Sequence, residues 1–435
     1  MGPAKVVAMS MPKLTRQIVA DPRLALMLAL GYSSGLPILL IFSTQSAWLR
    51  EAGVSRSAIG LMSWCALAYS FKFVWAPFID RFDPPGLAGR LGRRRGWMLL
   101  AQIGTAAGLC GLSFGNPATN LPWNIAFAFF TAFSAATLDV TIDGWRIDAA
   151  PPERQGMMTA VYSLGYRLAM ICAGAGALYI ADFASWRAAY LTMAGLTLIG
   201  IAGCLLSPRL DRAAPPAGRA ALGSSFVEPL GDLIRRHGLA LIAILALVAL
   251  YRLPDFVSGV MANPLYIDLG FTKSDIATVS KLYGVWIGIA GAFAGGLAVN
   301  RIGLMPGLMI GGVAASVSHL SLALLAVSGA RLDLLTLAVS TESFASGFAG
   351  AALIAYMSSL VSPVYAATQY ALLSSLYALP GKFVGGLSGI MVDAFGYPRF
   401  FVATALIGAP VAILCILVWR GEVRGRRTVG ATQPG

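Results

Sequence analysis

Leu239-Ala240-Leu241-Ile242-Ala243-Ile244-Leu245-Ala246-Leu247-Val248-Ala249-Leu250 is an unbroken apolar run with no charged or amide residue in it. A strand of a membrane barrel faces lipid on one side and a polar lumen on the other, so its residues alternate. This run does not alternate, and it reads as membrane helix. Similar runs recur along the chain, where 57% of the 435 residues are hydrophobic and 12% are charged. The mean hydropathy is +0.74. A soluble domain carries roughly 25% charged residues to face water, so most of this surface faces something else. Spanning the hydrocarbon takes about 20 apolar residues per helix. Twelve such spans are predicted at 24–49, 56–78, 97–115, 122–144, 157–181, 186–206, 239–266, 274–299, 304–328, 332–360, 366–392 and 398–420.

The net charge is +13, and its placement matters more than its size. One set of alternating loops holds Lys5, Lys13, Arg16, Arg23, Arg81, Arg90, Arg93, Arg94, Arg95, Arg146 and Arg154. The same set continues with Arg209, Arg212, Arg219, Arg235, Arg236, Arg301, Arg420, Arg424, Arg426 and Arg427. The opposite set holds Arg50, Arg56, Arg187, Lys273, Arg331 and Arg399. Basic residues mark cytoplasmic loops. Both termini are therefore expected in the cytoplasm, with an even number of spans. The basic excess is a topology signal, and nucleic acid is not an expected partner.

The linker-like stretch 207–238, with Pro208, Pro215, Pro216 and Gly218, divides the chain into halves at 1–206 and 239–435. The halves echo each other. Ser55-Arg56-Ser57-Ala58-Ile59-Gly60 opens span two, and Thr272-Lys273-Ser274-Asp275-Ile276-Ala277 opens span eight. Gln155, Arg167, Asp182 and Arg187 around span five recur as Gln369, Lys382, Asp393 and Arg399 around span eleven. Two parallel six-helix repeats resemble the major-facilitator carriers, whose halves rock about a midplane site. The expected fold is an all-α membrane protein of that kind. Asp80-Arg81 followed by Gly92-Arg93-Arg94-Arg95 resembles the acidic-then-basic loop of such carriers, and Asp80, Arg81 and Arg146 are candidate gate residues.

Charge inside a span costs about 2.5–3.5 kcal/mol on insertion scales, so such residues line cavities or pair with one another. The expected set is Lys72, Asp139, Asp143, Arg167, Arg252, Asp255, Lys281, Glu342 and Lys382. Asp139 and Asp143 stand four apart on one helical face. Two carboxylates so placed resist joint ionisation, which suits them to carry protons, unless Arg146 and Arg167 hold both as structural pairs. Arg252 and Asp255 are three apart and can neutralise each other. The basic residues Lys72, Arg167, Lys281 and Lys382 outnumber the acids Asp255 and Glu342, which favours an anionic solute. Tyr283 and Trp286 offer flat faces to sugar rings or peptide groups, and Gln45, Gln102 and Gln369 can hydrogen-bond a polar solute or a neighbouring helix.

Cys65, Cys110, Cys172, Cys204 and Cys415 show no paired spacing and read as small buried hydrophobes. The chain has no HExxH, GxSxG or Walker A motif. Neither enzyme chemistry, a metal, a cofactor nor ATP-driven transport is expected. An ion gradient then supplies the energy.

Gly31-Tyr32-Ser33-Ser34-Gly35-Leu36-Pro37, Phe71-Lys72-Phe73-Val74-Trp75-Ala76-Pro77, Asp139-Val140-Thr141-Ile142-Asp143-Gly144-Trp145-Arg146 and Leu164-Gly165-Tyr166-Arg167 run through the first half. Tyr251-Arg252 with Asp255, then Lys281, Glu342 and Ala367-Thr368-Gln369-Tyr370-Ala371-Leu372-Leu373-Ser374 run through the second. Together these segments resemble the AmpG family of bacterial muropeptide permeases, a branch of the major facilitators. The resemblance implies import of GlcNAc-1,6-anhydroMurNAc and its peptides across the inner membrane. It implies coupling to protons, with Asp139 and Asp143 among the important acids, and a role in cell-wall recycling and β-lactamase induction. A monomer in the lipid bilayer is expected. Acetyl-coenzyme A carriers of the same branch, and a membrane sensor of wall fragments built on the carrier fold, are the alternatives.

Overall fold

The computed structural model describes residues 22–149, 152–210, 220–362 and 366–430, and every regular element among them is helical. In chain order the α-helices of five or more residues are α1 (Pro22–Leu40), α2 (Ser43–Glu51), α3 (Arg56–Met62), α4 (Leu67–Phe71), α5 (Ala76–Arg81) and α6 (Arg93–Phe114). There follow α7 (Leu121–Ala149), α8 (Pro152–Ile171), α9 (Ala177–Phe183), α10 (Trp186–Leu196), α11 (Leu198–Leu206) and α12 (Ala220–His237). The remainder comprises α13 (Ala240–Leu250), α14 (Leu253–Leu269), α15 (Gly284–Ile302), α16 (Leu304–Ser328), α17 (Leu332–Leu360), α18 (Ala366–Gly385) and α19 (Ser388–Gly430).

Among the described residues, ten helical stretches are long and apolar enough to cross a membrane. The two further spans expected from sequence are helical too. The one at 56–78 is broken by 3₁₀ turns at Ser63–Ala66 and Lys72–Val74. The one at 366–392 opens in α18, whose polar Gln369, Ser374, Ser375 and Lys382 dilute its hydropathy. The path agrees with twelve spans.

Local chemistry explains the breaks. Pro37 inside α1 cannot bond to the turn before it, and the helix ends at Leu40. Span seven parts after Leu250, and Pro254 sits in the first turn of α14, where its missing N–H costs nothing. Gly396, at φ +75°, interrupts α19 ahead of Pro398 and so separates spans eleven and twelve. Spans five and eight each contain a π-helical stretch, Cys172–Gly176 and Ile276–Tyr283. Lys72, Arg252 and Lys281 all lie on such irregular backbone. Irregular backbone within a membrane is tolerated where it is buried in protein or lines a cavity.

Packing groups the chain into two compact units, one of Met1–Ile41, Phe71–Asn116 and Asn120–Pro215, the other of Phe42–Ser70, Pro117–Thr119 and Pro216–Gly435. In the first, Met27, Leu30, Met98, Leu138, Ile142, Trp145, Met158, Val161 and Cys204 form the core. There α1 and α8 touch backbone to backbone. A Cβ on Gly165 would overlap the Leu28 carbonyl oxygen, and one on Gly31 that of Tyr162. Small residues permit this approach where no hydrophobic effect drives helices together. Gly165→Val is expected to cost at least about 1–3 kcal/mol by overpacking, read as a lower thermal unfolding midpoint in detergent. An unchanged midpoint would contradict the packing.

In the second unit Ile244, Leu247, Tyr251, Leu308, Ala349, Leu353, Tyr356, Val411 and Cys415 form the core. The Tyr251 hydroxyl donates to the Leu308 carbonyl at 2.7 Å. The segment α2–α4 packs in this unit, α2 on α14 and α3 on α19. A Cβ on Gly389 would strike the Arg56 carbonyl carbon and oxygen.

Candidate functional site

In the first unit, Asp139 is the centre of a polar cluster. Its carboxylate accepts a hydrogen bond from Ser34 Oγ and pairs with Lys72 Nζ at 3.3 Å. Ser34 Oγ also lies 2.7 Å from the Tyr162 hydroxyl. Two elements therefore meet on this carboxylate, α1 just before Pro37 and the 3₁₀ turn that carries Lys72, and α8 joins them through Tyr162 on Ser34. That turn is fixed by Trp75, whose Nε1 donates to Thr137 Oγ1 at 3.1 Å and whose ring packs on Phe133.

Asp143 shares the face of α7 but not the surroundings. Its side chain is 51% exposed, against 13% for Asp139. It pairs with Arg146 at 3.4 Å, and Arg146 donates to Thr159 Oγ1 at 2.7 Å. Arg146 thus takes up Asp143, whereas Lys72 is the base opposite Asp139 and Arg167 is exposed. Gln102 is fully buried beside α11, and neither of its amide atoms has a hydrogen-bond partner among the described residues.

The second unit gathers a separate cluster at the break between α13 and α14. Arg252 Nε lies 3.1 Å from Asp255 Oδ2, as their spacing suggested. Its other nitrogens donate to Ser346 on α17, at 2.7 Å to the carbonyl and 2.9 Å to Oγ. Asp255 Oδ1 lies 3.5 Å from His319 Nε2, which is also 3.0 Å from Ser258 Oγ. Glu342 is half-buried on α17 within the field of Asp255, His319, Arg252 and Lys281. Lys281 Nζ donates to Ser43 Oγ at 3.3 Å, and Lys382 Nζ to Ser70 Oγ at 2.9 Å. Arg252 and Lys281 thus lie with the carboxylates Asp255 and Glu342, while Lys382 is held on Ser70.

The remaining expected residues divide. Tyr283 on the π-helical stretch bonds Ser340 Oγ at 2.9 Å, while Trp286, one turn on, is largely exposed. Gln45 is buried, and its Nε2 has no partner among the described residues. Gln369 stands apart. Its Nε2 donates to the Pro229 carbonyl and to Asp232 Oδ2, both at 2.9 Å. Its Oε1 accepts from Ser362 N at 2.7 Å and from Arg236 at 3.1 Å. The amide is fully occupied in holding α12 and has nothing left for a solute. The bond from Gln369, with Arg236 alongside, holds the Asp232 carboxyl below the usual carboxylate range.

Asp80 and Arg81 end α5, and their side chains lie outside the described residues. The basic motif that follows is structural in two of its members. Arg94 pairs with Asp148 at 3.4 Å, and Arg95 donates to the carbonyls of Cys204 at 3.2 Å and Leu205 at 2.6 Å, ending α11.

One cluster was not expected from sequence. Arg56 bridges Asp268 at 2.7 Å and Asp393 at 3.4 Å and lies over the Tyr397 ring. Arg50 also pairs with Asp268, which accepts from the Tyr397 hydroxyl at 2.8 Å. Asp393 accepts from the Ser57 amide at 2.9 Å and hydroxyl at 2.6 Å, and Lys273 pairs with Glu51 at 2.7 Å. The cluster fastens the α2–α3 turn to α14 and α19. Its signal was present: Arg50, Arg56 and Lys273 are half of the six basic residues on the sparsely charged side.

Comparison with known proteins places this geometry. Residues 24–385 match the Major Facilitator Superfamily. Over 403 residues the chain is 34% identical to the anhydromuropeptide permease of Escherichia coli K12, covering 92% of this chain and 80% of that protein. It is 32% identical to AmpG 4, named as a transporter, of Rickettsia conorii, covering 92% and 97%. A crystal structure of a bacterial homolog to the human lysosomal transporter Spinster superposes with a TM-score of 0.69 at 15% identity, over 96% of this chain and 99% of that one. That last likeness shows the fold alone. The chain is a multi-pass membrane transporter rather than an enzyme, and it belongs to the Major Facilitator Superfamily and, within it, to the family of the anhydromuropeptide permeases.

Proposed function

We propose that the chain imports GlcNAc-1,6-anhydroMurNAc and its peptides across a bacterial inner membrane in symport with protons, supplying cell-wall recycling and the signal for β-lactamase induction. The carrying observation is the 34% identity, over 92% of the chain, to an anhydromuropeptide permease. The charge clusters supply a mechanism. In the first unit, an ionised Asp139 neutralises Lys72; once Asp139 takes a proton, Lys72 is left uncompensated and attracts a solute carboxylate. Each event then favours the other, which is the thermodynamic content of coupling. Asp143, opposite Arg146, is the second proton position. In the second unit Arg252, Lys281 and Lys382 provide the charge for an anionic, peptide-bearing solute, with Gln45, Asp255, Tyr283, Trp286 and Glu342 as further contacts, and in the first unit Gln102 and Arg167 are the candidate contacts. The working unit is the monomer, its termini in the cytoplasm, with Asp80, Arg81 and Arg146 at the cytoplasmic gate. The halves that move are 1–206 and 239–435, joined by 207–238.

Binding to purified protein tests the solute class. A labelled anhydromuropeptide should bind saturably and resist displacement by acetyl-coenzyme A. Displacement by acetyl-coenzyme A, with no binding of the fragment, would overturn the assignment.

Alternating access also requires the Arg56 cluster to part when the outer side opens. Arg56→Gln removes its links to Asp268, Asp393 and Tyr397 together. Surface ion pairs are each worth only about 0–1 kcal/mol, but their joint loss should raise the rate at which an impermeant maleimide added outside labels Ser43→Cys several-fold. An unchanged rate would remove the cluster from the gate.

A further inference from the structure

The linker helix α12 has two unlike faces. Pro229, Asp232, Leu233 and Arg236 recur at three- and four-residue spacing on one face. That face is tied to the protein: Arg236 donates to the Leu360 carbonyl at 2.9 Å, and Gln369 grips Pro229 and Asp232 as described. Val227, Leu230 and Ile234 recur on the other face and are 67%, 45% and 52% exposed.

The tied face also fixes how the helix runs. Pro229 to Arg236 covers about 10 Å of helix axis. Over that length its partners are Leu360, at the end of α17, and Gln369, in the first turn of α18. The helix therefore crosses the junction of two membrane spans instead of prolonging either. Gly238, at φ +50°, then turns the chain through the exposed Leu239 into α13, part of a membrane span on which Ile242 is exposed. The apolar stripe of α12 is thus continuous in the chain with surface that meets lipid. Its exposed flank is mixed in charge, with Glu228 and Arg235, so apolar contact rather than charge selects the partner.

We propose that α12 is an interfacial helix, clamped to the α17–α18 junction by Gln369 and seated through Val227, Leu230 and Ile234 in the headgroup–acyl boundary of the bilayer. Such a helix lies in the membrane plane with its apolar face buried about 5–10 Å.

The test places an environment-sensitive fluorophore on Leu230→Cys in the full chain, reconstituted in vesicles of phosphatidylethanolamine and phosphatidylglycerol. The unsubstituted protein is the control for labelling of native cysteines. Quenching by lipid carrying a shallow acyl nitroxide should exceed quenching by aqueous iodide several-fold. A probe on Glu228→Cys should show less of that excess. Adding Ile234→Glu to Leu230→Cys should shift the probe toward iodide while the protein still elutes as folded monomer. Iodide quenching of Leu230→Cys equal to that of Glu228→Cys would show a solvated stripe and overturn the proposal. Protection from both quenchers would show that protein covers the stripe, a second copy or another segment of the chain, and would overturn it equally.

Discussion

Asp139→Asn is expected to abolish uphill accumulation of the solute while leaving its exchange across the membrane. Asparagine keeps the shape of the side chain and can still accept from Ser34, so the contacts of α1 and α8 with α7 persist. What it cannot do is carry a proton or neutralise Lys72, 3.3 Å away. A proton carried with a monoanion moves no net charge, so the pH difference drives it, and each pH unit supplies about 1.4 kcal/mol, enough for roughly tenfold accumulation. The variant should fall from such a ratio to simple equilibration, with counterflow of preloaded substrate retained. Asp143→Asn, more exposed and held by Arg146, should lose a smaller part of the ratio. Full accumulation by Asp139→Asn would remove Asp139 from the coupling role.

Lys281→Met is expected to weaken binding of the anionic fragment by roughly tenfold to a hundredfold, since hydrogen bonds to charged groups are worth about 1.5–3 kcal/mol. Lys281 is half-buried on the π-helical stretch of span eight, with Ser43 Oγ as a neutral partner and Glu342 as a charged neighbour. Methionine matches its length without its charge, so packing is largely kept. Lys281→Arg should recover part of the affinity, and a fragment lacking the stem peptide, hence fewer carboxylates, should be less sensitive to the change. Equal affinity of Lys281→Met and the unsubstituted chain would leave Lys281 as a packing charge.

The apolar runs and the basic loops made the fold legible, because both follow from the solvation of single residues. The charges within spans were legible for the same reason: no other residue is so costly in lipid. Their partners were not. Ser34, Ser258 and Ser346 are ordinary residues of membrane helices, and only the tertiary structure shows that each bonds a charged or ionisable group and that Tyr162 bonds Ser34. His319 carried no such signal, and only the structure shows that it completes the Arg252–Asp255 group. Gln369 read as a solute ligand because an amide in a span needs a partner; its partners proved to be on the linker helix, 137–140 residues away in sequence. The Arg56 cluster escaped because topology already explained each of its charges separately. The breaks at Leu40 and Leu250 are subtler, since a short turn inside a long apolar run leaves its composition unchanged.

Uptake of labelled GlcNAc-1,6-anhydroMurNAc into proteoliposomes, with and without an imposed inward proton gradient, tests the central claim most directly. Accumulation that requires the gradient and collapses with a protonophore is the expected result. Folded protein that binds the fragment yet moves none of it under either condition would contradict the claim, leaving a sensor built on the carrier fold.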